Sequence, residues 1–130
     1  MKIKNALDFN GAEVKYNLEK IQEQEIRVKS VDDFYDGPLS GECTWRGKDY
    51  YFECFDQIDP VTDADVSPRK YLLLSLSKEQ LEENRGLIEL LDKSPRSEYM
   101  KIYKEAPAQI ITREQIVGWF ESERLKQEWE

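Results

Sequence analysis

The stretch Gly41-Glu42-Cys43-Thr44-Trp45-Arg46-Gly47-Lys48-Asp49-Tyr50-Tyr51-Phe52-Glu53-Cys54-Phe55 decides the fold. Two alternating runs flank Gly47-Lys48, and alternation with period two marks a strand that buries one face. Glycine at the first central position suits a type II′ hairpin turn. That register pairs Arg46 with Asp49, Trp45 with Tyr50 and Cys43 with Phe52. It predicts a core face of Gly41, Cys43, Trp45, Tyr50, Phe52 and Cys54, with Glu42, Thr44, Arg46, Tyr51, Glu53 and Phe55 on the other face. The two cysteines become diagonal neighbours, a poor geometry for a disulfide.

Upstream, alternation predicts strands near residues 12–18 and 25–29. Ser30-Val31-Asp32-Asp33 resembles a capping box, and with Phe34-Tyr35-Asp36-Gly37-Pro38 it predicts a single helical turn ended by Gly37. Downstream, residues 56–68 read as an Asp- and Pro-rich loop. Arg69 to Ser77 reads as a strand with Leu72, Leu74 and Leu76 on one face and Tyr71 and Leu73 on the other. Ser77-Lys78-Glu79-Gln80 is a capping box opening a helix with Leu81, Leu87, Ile88 and Leu91 on its apolar face. Ser94-Pro95 opens a short helix with Tyr99, Met100 and Tyr103 inward, and Ala108–Ile111 forms a short strand. Thr112-Arg113-Glu114-Gln115 caps a final helix with Ile116, Val117 and Phe120 inward, followed by a mixed-charge solvated run over residues 121–128. The expected architecture is α+β: an antiparallel sheet from the N-terminal half, packed by two or three helices from the C-terminal half.

Length allows one domain over residues 1–130, since two halves of such a chain would be too small for stable cores. Fifteen aromatic residues argue against disorder. No apolar run approaches the ~20 residues that span a bilayer, and the N-terminus carries no signal-peptide pattern, so a soluble, cytoplasmic protein is expected. Two cysteines in such a domain read as buried thiols of a reducing compartment.

Histidine is absent, which removes Ser-His-Asp and Cys-His catalysis and the commonest zinc ligand. No glycine-rich phosphate loop is present. Asp56, Asp59, Asp63 and Asp65 crowd one stretch, but it lacks the glycine and the close spacing of a calcium loop. No metal, cofactor or catalytic set is expected.

Charge carries more information. Residues 30–68 hold ten acids and two bases, an excess equal to the whole net charge of −8, while the rest of the chain balances. Such a protein repels nucleic acid and anionic membranes. Acids interleaved with Phe34, Tyr35, Tyr51 and Phe55 suit a face that covers a basic protein surface, charge steering the encounter and aromatics anchoring it. Turns also collect Asp for local hydrogen bonding, the competing explanation. The candidate partner-binding residues are Asp32, Asp33, Asp36, Glu42, Glu53, Asp56 and Asp59 for steering, with Tyr35, Tyr51 and Phe55 as anchors.

Asp33-Phe34-Tyr35-Asp36-Gly37-Pro38-Leu39-Ser40-Gly41, then Gly47, Tyr51 and Phe52, resembles a group of small bacterial hypothetical proteins over residues 30–76. In that group an aromatic-Asp-Gly-Pro turn leads into a hairpin and then a leucine-rich strand. The resemblance implies that turn and hairpin act as one unit and implies no activity.

The leading expectation is therefore a non-enzymatic acidic domain of immunity-protein or inhibitor type, of the kind that mimics nucleic acid. Two alternatives stand beside it. A small enzyme or ligand-binding domain would use Glu42 and Glu53, which face each other in the predicted register, with one pKa raised. A structural component of a larger assembly would show an uncharged apolar patch on the last helices.

Overall fold

The computed structural model describes residues 3–4, 9, 11–58 and 65–127, with backbone alone at 3–4, 56–58 and 65–67. In chain order the elements are β1 (Ile3–Lys4), α1 (Ala12–Lys15), β2 (Ile26–Phe34), β3 (Pro38–Trp45), β4 (Lys48–Ile58), β5 (Asp65–Leu74), α2 (Lys78–Lys93), α3 (Tyr99–Glu105), β6 (Gln109–Ile110) and β7 (Ile116–Ser122). β2 to β5 form an antiparallel meander, and β7 adds beside β5 to give the order β2-β3-β4-β5-β7. β1 pairs in parallel with β6 as a separate ribbon. The fold is α+β, as the pattern of elements predicts.

Tyr71-Leu72-Leu73-Leu74 on β5 is buried at every position. A strand between two neighbours and covered on both faces needs such a continuous apolar run. One face packs Val28, Cys43, Trp45, Phe52, Tyr71, Leu73 and Phe120 under Ile21 and Leu125. There Tyr71 stacks on Phe120 with centroids 5.0 Å apart, and Phe52 meets Tyr71 edge-on at 5.9 Å. The other face packs Tyr51, Leu72, Leu74 and Ile116 under Ala12 and Ile111.

The central hairpin forms with a different turn. Arg46 and Gly47 both have positive φ, 50° and 77°, which makes them the two central residues of a type I′ turn. Trp45 pairs with Lys48, Cys43 with Tyr50 and Gly41 with Phe52. The Arg46 guanidinium lies 4.3 Å over the Trp45 ring, an attraction that helps a non-glycine residue hold the left-handed conformation. Because pairing moves by two residues, the strand side chains keep their predicted faces, and Arg46 passes into the turn. The second face is a second core rather than a solvated surface. Cys54 lies opposite Tyr71 of β5, and both cysteines are free thiols.

Other expectations are corrected. Residues 12–15 form a short helix, not a strand. Residues 30–34 continue β2, and the chain reverses through Asp36 and Gly37 at positive φ; pairing with β3 outcompetes the local capping signal. The hairpin strands are longer than predicted, and the reach from β4 to β5 falls in residues 59–64, outside the described residues. The Thr112 capping box does form, but it closes a single 3-10 turn before the chain extends into β7. Ile116, Val117, Trp119 and Phe120 are β-branched or aromatic, and β5 offers them an open edge. Beyond it, Leu125 is buried in the first core, so the terminal run is not simply a solvated helix. On α3, Tyr99, Met100 and Tyr103 are exposed and Ile102 is the half-buried position.

Candidate functional site

Two carboxylates of β2 reach the same face of the sheet because the strand is bulged. Val31 pairs with Gly41 and Asp33 with Ser40, which leaves Asp32 as the extra residue. Asp32 Oδ2 accepts hydrogen bonds from Tyr51 Oη and Asn84 Nδ2, both at 2.7 Å. Asp33 Oδ2 accepts one from Ser40 Oγ at 3.1 Å. Ser40 in turn lies opposite Glu53 on β4, so Asp32, Asp33 and Glu53 converge at one end of the second face. The bulge draws the two backbones together so closely that a Cβ on Gly41 would stand 2.0 Å from the Ser30 carbonyl oxygen.

Burial, and then the negative charges of Asp33 and Asp32, push the Glu53 carboxyl up to about 8. Its Oε2 is buried with no hydrogen-bond partner among the described residues. Burial and the adjacent Asp32 charge likewise raise the Tyr51 phenol. On α3, burial and the charges of Asp33 and Glu53 raise the Tyr103 phenol. The cluster thus favours a proton on Glu53 near neutrality, and through Asn84 it ties α2 to the sheet. Asn84 is the buried residue of α2, at 2% exposure, and the expected apolar side chains of that helix are only half-buried.

Glu42 and Glu53 do not face each other; Glu42 lies opposite Tyr51. The Glu42 carboxylate receives two hydrogen bonds from Arg85 of α2, at 2.6 and 3.0 Å. Asp49 pairs with Lys29 at 3.1 Å. Asp32, Asp33, Asp36 and Glu53 have no ion pair among the described residues.

The turn between β2 and β3 is an exposed part of the acidic segment. Phe34 and Tyr35 are 63% and 64% exposed, and Asp33 and Asp36 on either side are exposed too. Two bonds from β5 hold this turn in place. Arg69 Nη2 donates to the Tyr35 carbonyl and Tyr71 Oη to the Pro38 carbonyl, each at 2.7 Å. Arg69 itself is almost wholly buried, so the turn is fastened to the interior.

Of the sequence-predicted anchors, only Tyr35 is available to a partner. Tyr51 is fully buried, because its face of the sheet is covered, and Phe55 is half-buried against the same core. Asp32, Glu42 and Glu53 are engaged within the fold and cannot act as free steering charges. Asp56 lies on β4 opposite Lys70, with only its backbone described, and Asp59 lies outside the described residues. Phe34, noted among the interleaved aromatics but not chosen as an anchor, is exposed as well; its signal was adjacency to Tyr35 just before Asp-Gly, where a turn puts consecutive side chains outward.

Burial pushes the Cys43 thiol up to about 12, a packing thiol rather than a nucleophile. No group of three or more metal-ligating side chains is assembled among the described residues, and none of their helices is long and apolar enough to cross a membrane. Comparison with protein families, curated proteins and solved structures gave no significant match.

Proposed function

We propose that this is a non-enzymatic acidic domain that covers a basic surface of a partner protein through its β2–β3 turn. One observation carries the reading: adjacent exposed aromatics, Phe34 and Tyr35, flanked by Asp33 and Asp36, which have no ion pair among the described residues, on a turn fastened to buried side chains. A large exposed aromatic is unfavourable in water unless something covers it. A turn already held in place loses little conformational freedom on binding. The two carboxylates select a cationic partner and speed its approach.

The experiment is affinity capture from a native extract with wild-type protein and an Asp33→Lys/Asp36→Lys variant. The wild type recovers a basic protein at low salt and loses it at high salt, and the variant does not recover it. Equal recovery by both, at either salt, removes the proposal. Asp36 is exposed, but Asp33 also accepts the Ser40 hydrogen bond, so thermal unfolding of the variant is compared with wild type, and Asp36→Lys alone should also weaken capture.

Raised proton affinity at Glu53 favours a second reading, a ligand-binding or acid–base site. Against it, the groove described below is lined by neither Glu42 nor Glu53.

A further inference from the structure

Away from the turn, α2 and the α3–β6 segment enclose a groove of about 680 Å³. Glu79, Glu82, Glu83 and Glu105 line it, and no lysine or arginine does among the described residues. Leu87, Leu90 and Ile102 give it an apolar interior, and Leu90 is 51% exposed there. The wall contributed by α2 runs from Glu79 to Leu90, three helical turns or about 17 Å. Gly86 sits midway along that wall. Glycine inside a helix is unfavourable relative to alanine, and a methyl group here would meet no atom within 4 Å. Packing within the domain therefore gives no reason for its absence. A neighbouring backbone that must come close to α2 does.

The geometry points to an amphipathic, positively charged helix of a partner protein as the occupant of this groove. Its apolar side chains would pack against Leu87, Leu90 and Ile102, and its lysines or arginines would lie over the four glutamates. Its backbone would pass over Gly86, where two helices can approach closely. A small polycation would satisfy the glutamates but leave the apolar interior wet. An uncharged helix would bury the carboxylates beside it unpaired, which is unfavourable. The inference goes beyond the turn-mediated reading, uses none of its residues, and stands or fails separately.

The test uses a synthetic helical peptide of about 14 residues, enough to span the wall, with leucines at i, i+3, i+4 and i+7 and lysines on both flanks. Binding is followed by fluorescence anisotropy and by amide chemical shifts of the whole domain. Saturable binding is expected, with shifts concentrated at Gly86, Leu90, Ile102 and Glu105. Glu82→Lys/Glu83→Lys should weaken it about tenfold, as two reversed rim charges would. Gly86→Leu should weaken it while leaving the helical signal intact, and Asp33→Lys/Asp36→Lys should leave it unchanged. A scrambled peptide of equal charge binding as tightly, or spermidine displacing the peptide at similar concentration, would reduce the site to simple polycation attraction and overturn the inference. Loss of binding in the Asp33→Lys/Asp36→Lys variant would place the peptide on the turn and overturn it too.

Discussion

At Gly41 the missing side chain is what allows the Asp32 bulge to exist. An alanine methyl would fall 2.0 Å from the Ser30 oxygen, and that neighbour is backbone on a paired strand, which cannot swing aside. Gly41→Ala should therefore lose about 3 kcal/mol or more of unfolding free energy by urea denaturation, and a loss under 1 kcal/mol would mean that the strands separate easily. Glu53 gives a second prediction at this scale. Its carboxyl has an ordinary value of 4.5 and is pushed up to about 8 in the fold. Between those values the unfolded chain has released the proton while the folded chain retains it, so stability falls as pH rises through that window. Thermal unfolding from pH 5 to pH 8 should show that decline, and Glu53→Gln should flatten it and be the more stable protein at pH 8. An unaltered slope in the variant would assign the titration to another group.

Among the elements, α2 docks by a polar contact where an amphipathic stripe was expected. Asn84→Ala removes one of the two donors to Asp32 among the described residues, and it should destabilise by about 1–3 kcal/mol and expose α2 to faster hydrogen exchange than the sheet. Gly86→Ala, at an open position of the same helix, should stabilise by up to about 1 kcal/mol. If both substitutions leave α2 unchanged, the helix is held by something other than Asn84. These elements also show what the sequence made legible. Alternation about Gly47 assigned the hairpin side chains other than Arg46 to their faces, because a two-residue shift of register preserves that assignment. Tyr71 to Leu74 were legible as strand residues, though not as buried on both faces, and Ser77 as the start of α2. Ile116 to Phe120 misled because the spacing of residues 116, 117 and 120 fits a helix as well as a strand, and only a free edge at β5 decides between them. The Asp32 bulge was hidden for the same reason: a bulge is fixed by the partner strand, not by its own residues. Without it, the meeting of Asp32, Asp33 and Glu53 could not be foreseen, nor could the loss of Tyr51 to the second core.

For the molecule as a whole, the acidic side chains described between residues 30 and 55 divide into three parts with different fates. Asp32 and Glu53 turn inward, Glu42 and Asp49 are paired with bases from elsewhere, and Asp33 and Asp36 remain outside beside Phe34 and Tyr35. Among these described carboxylates, Asp33 and Asp36 are the ones exposed without an ion pair, so the case for a cationic partner rests on this short turn. The most direct test is the kinetics of association with the captured partner, measured against salt for the wild type, Asp33→Lys/Asp36→Lys and Phe34→Ser/Tyr35→Ser. The charge variant should associate more slowly and with little salt dependence, and the aromatic variant should associate normally but dissociate faster. Both variants matching the wild type in both rates would contradict the account.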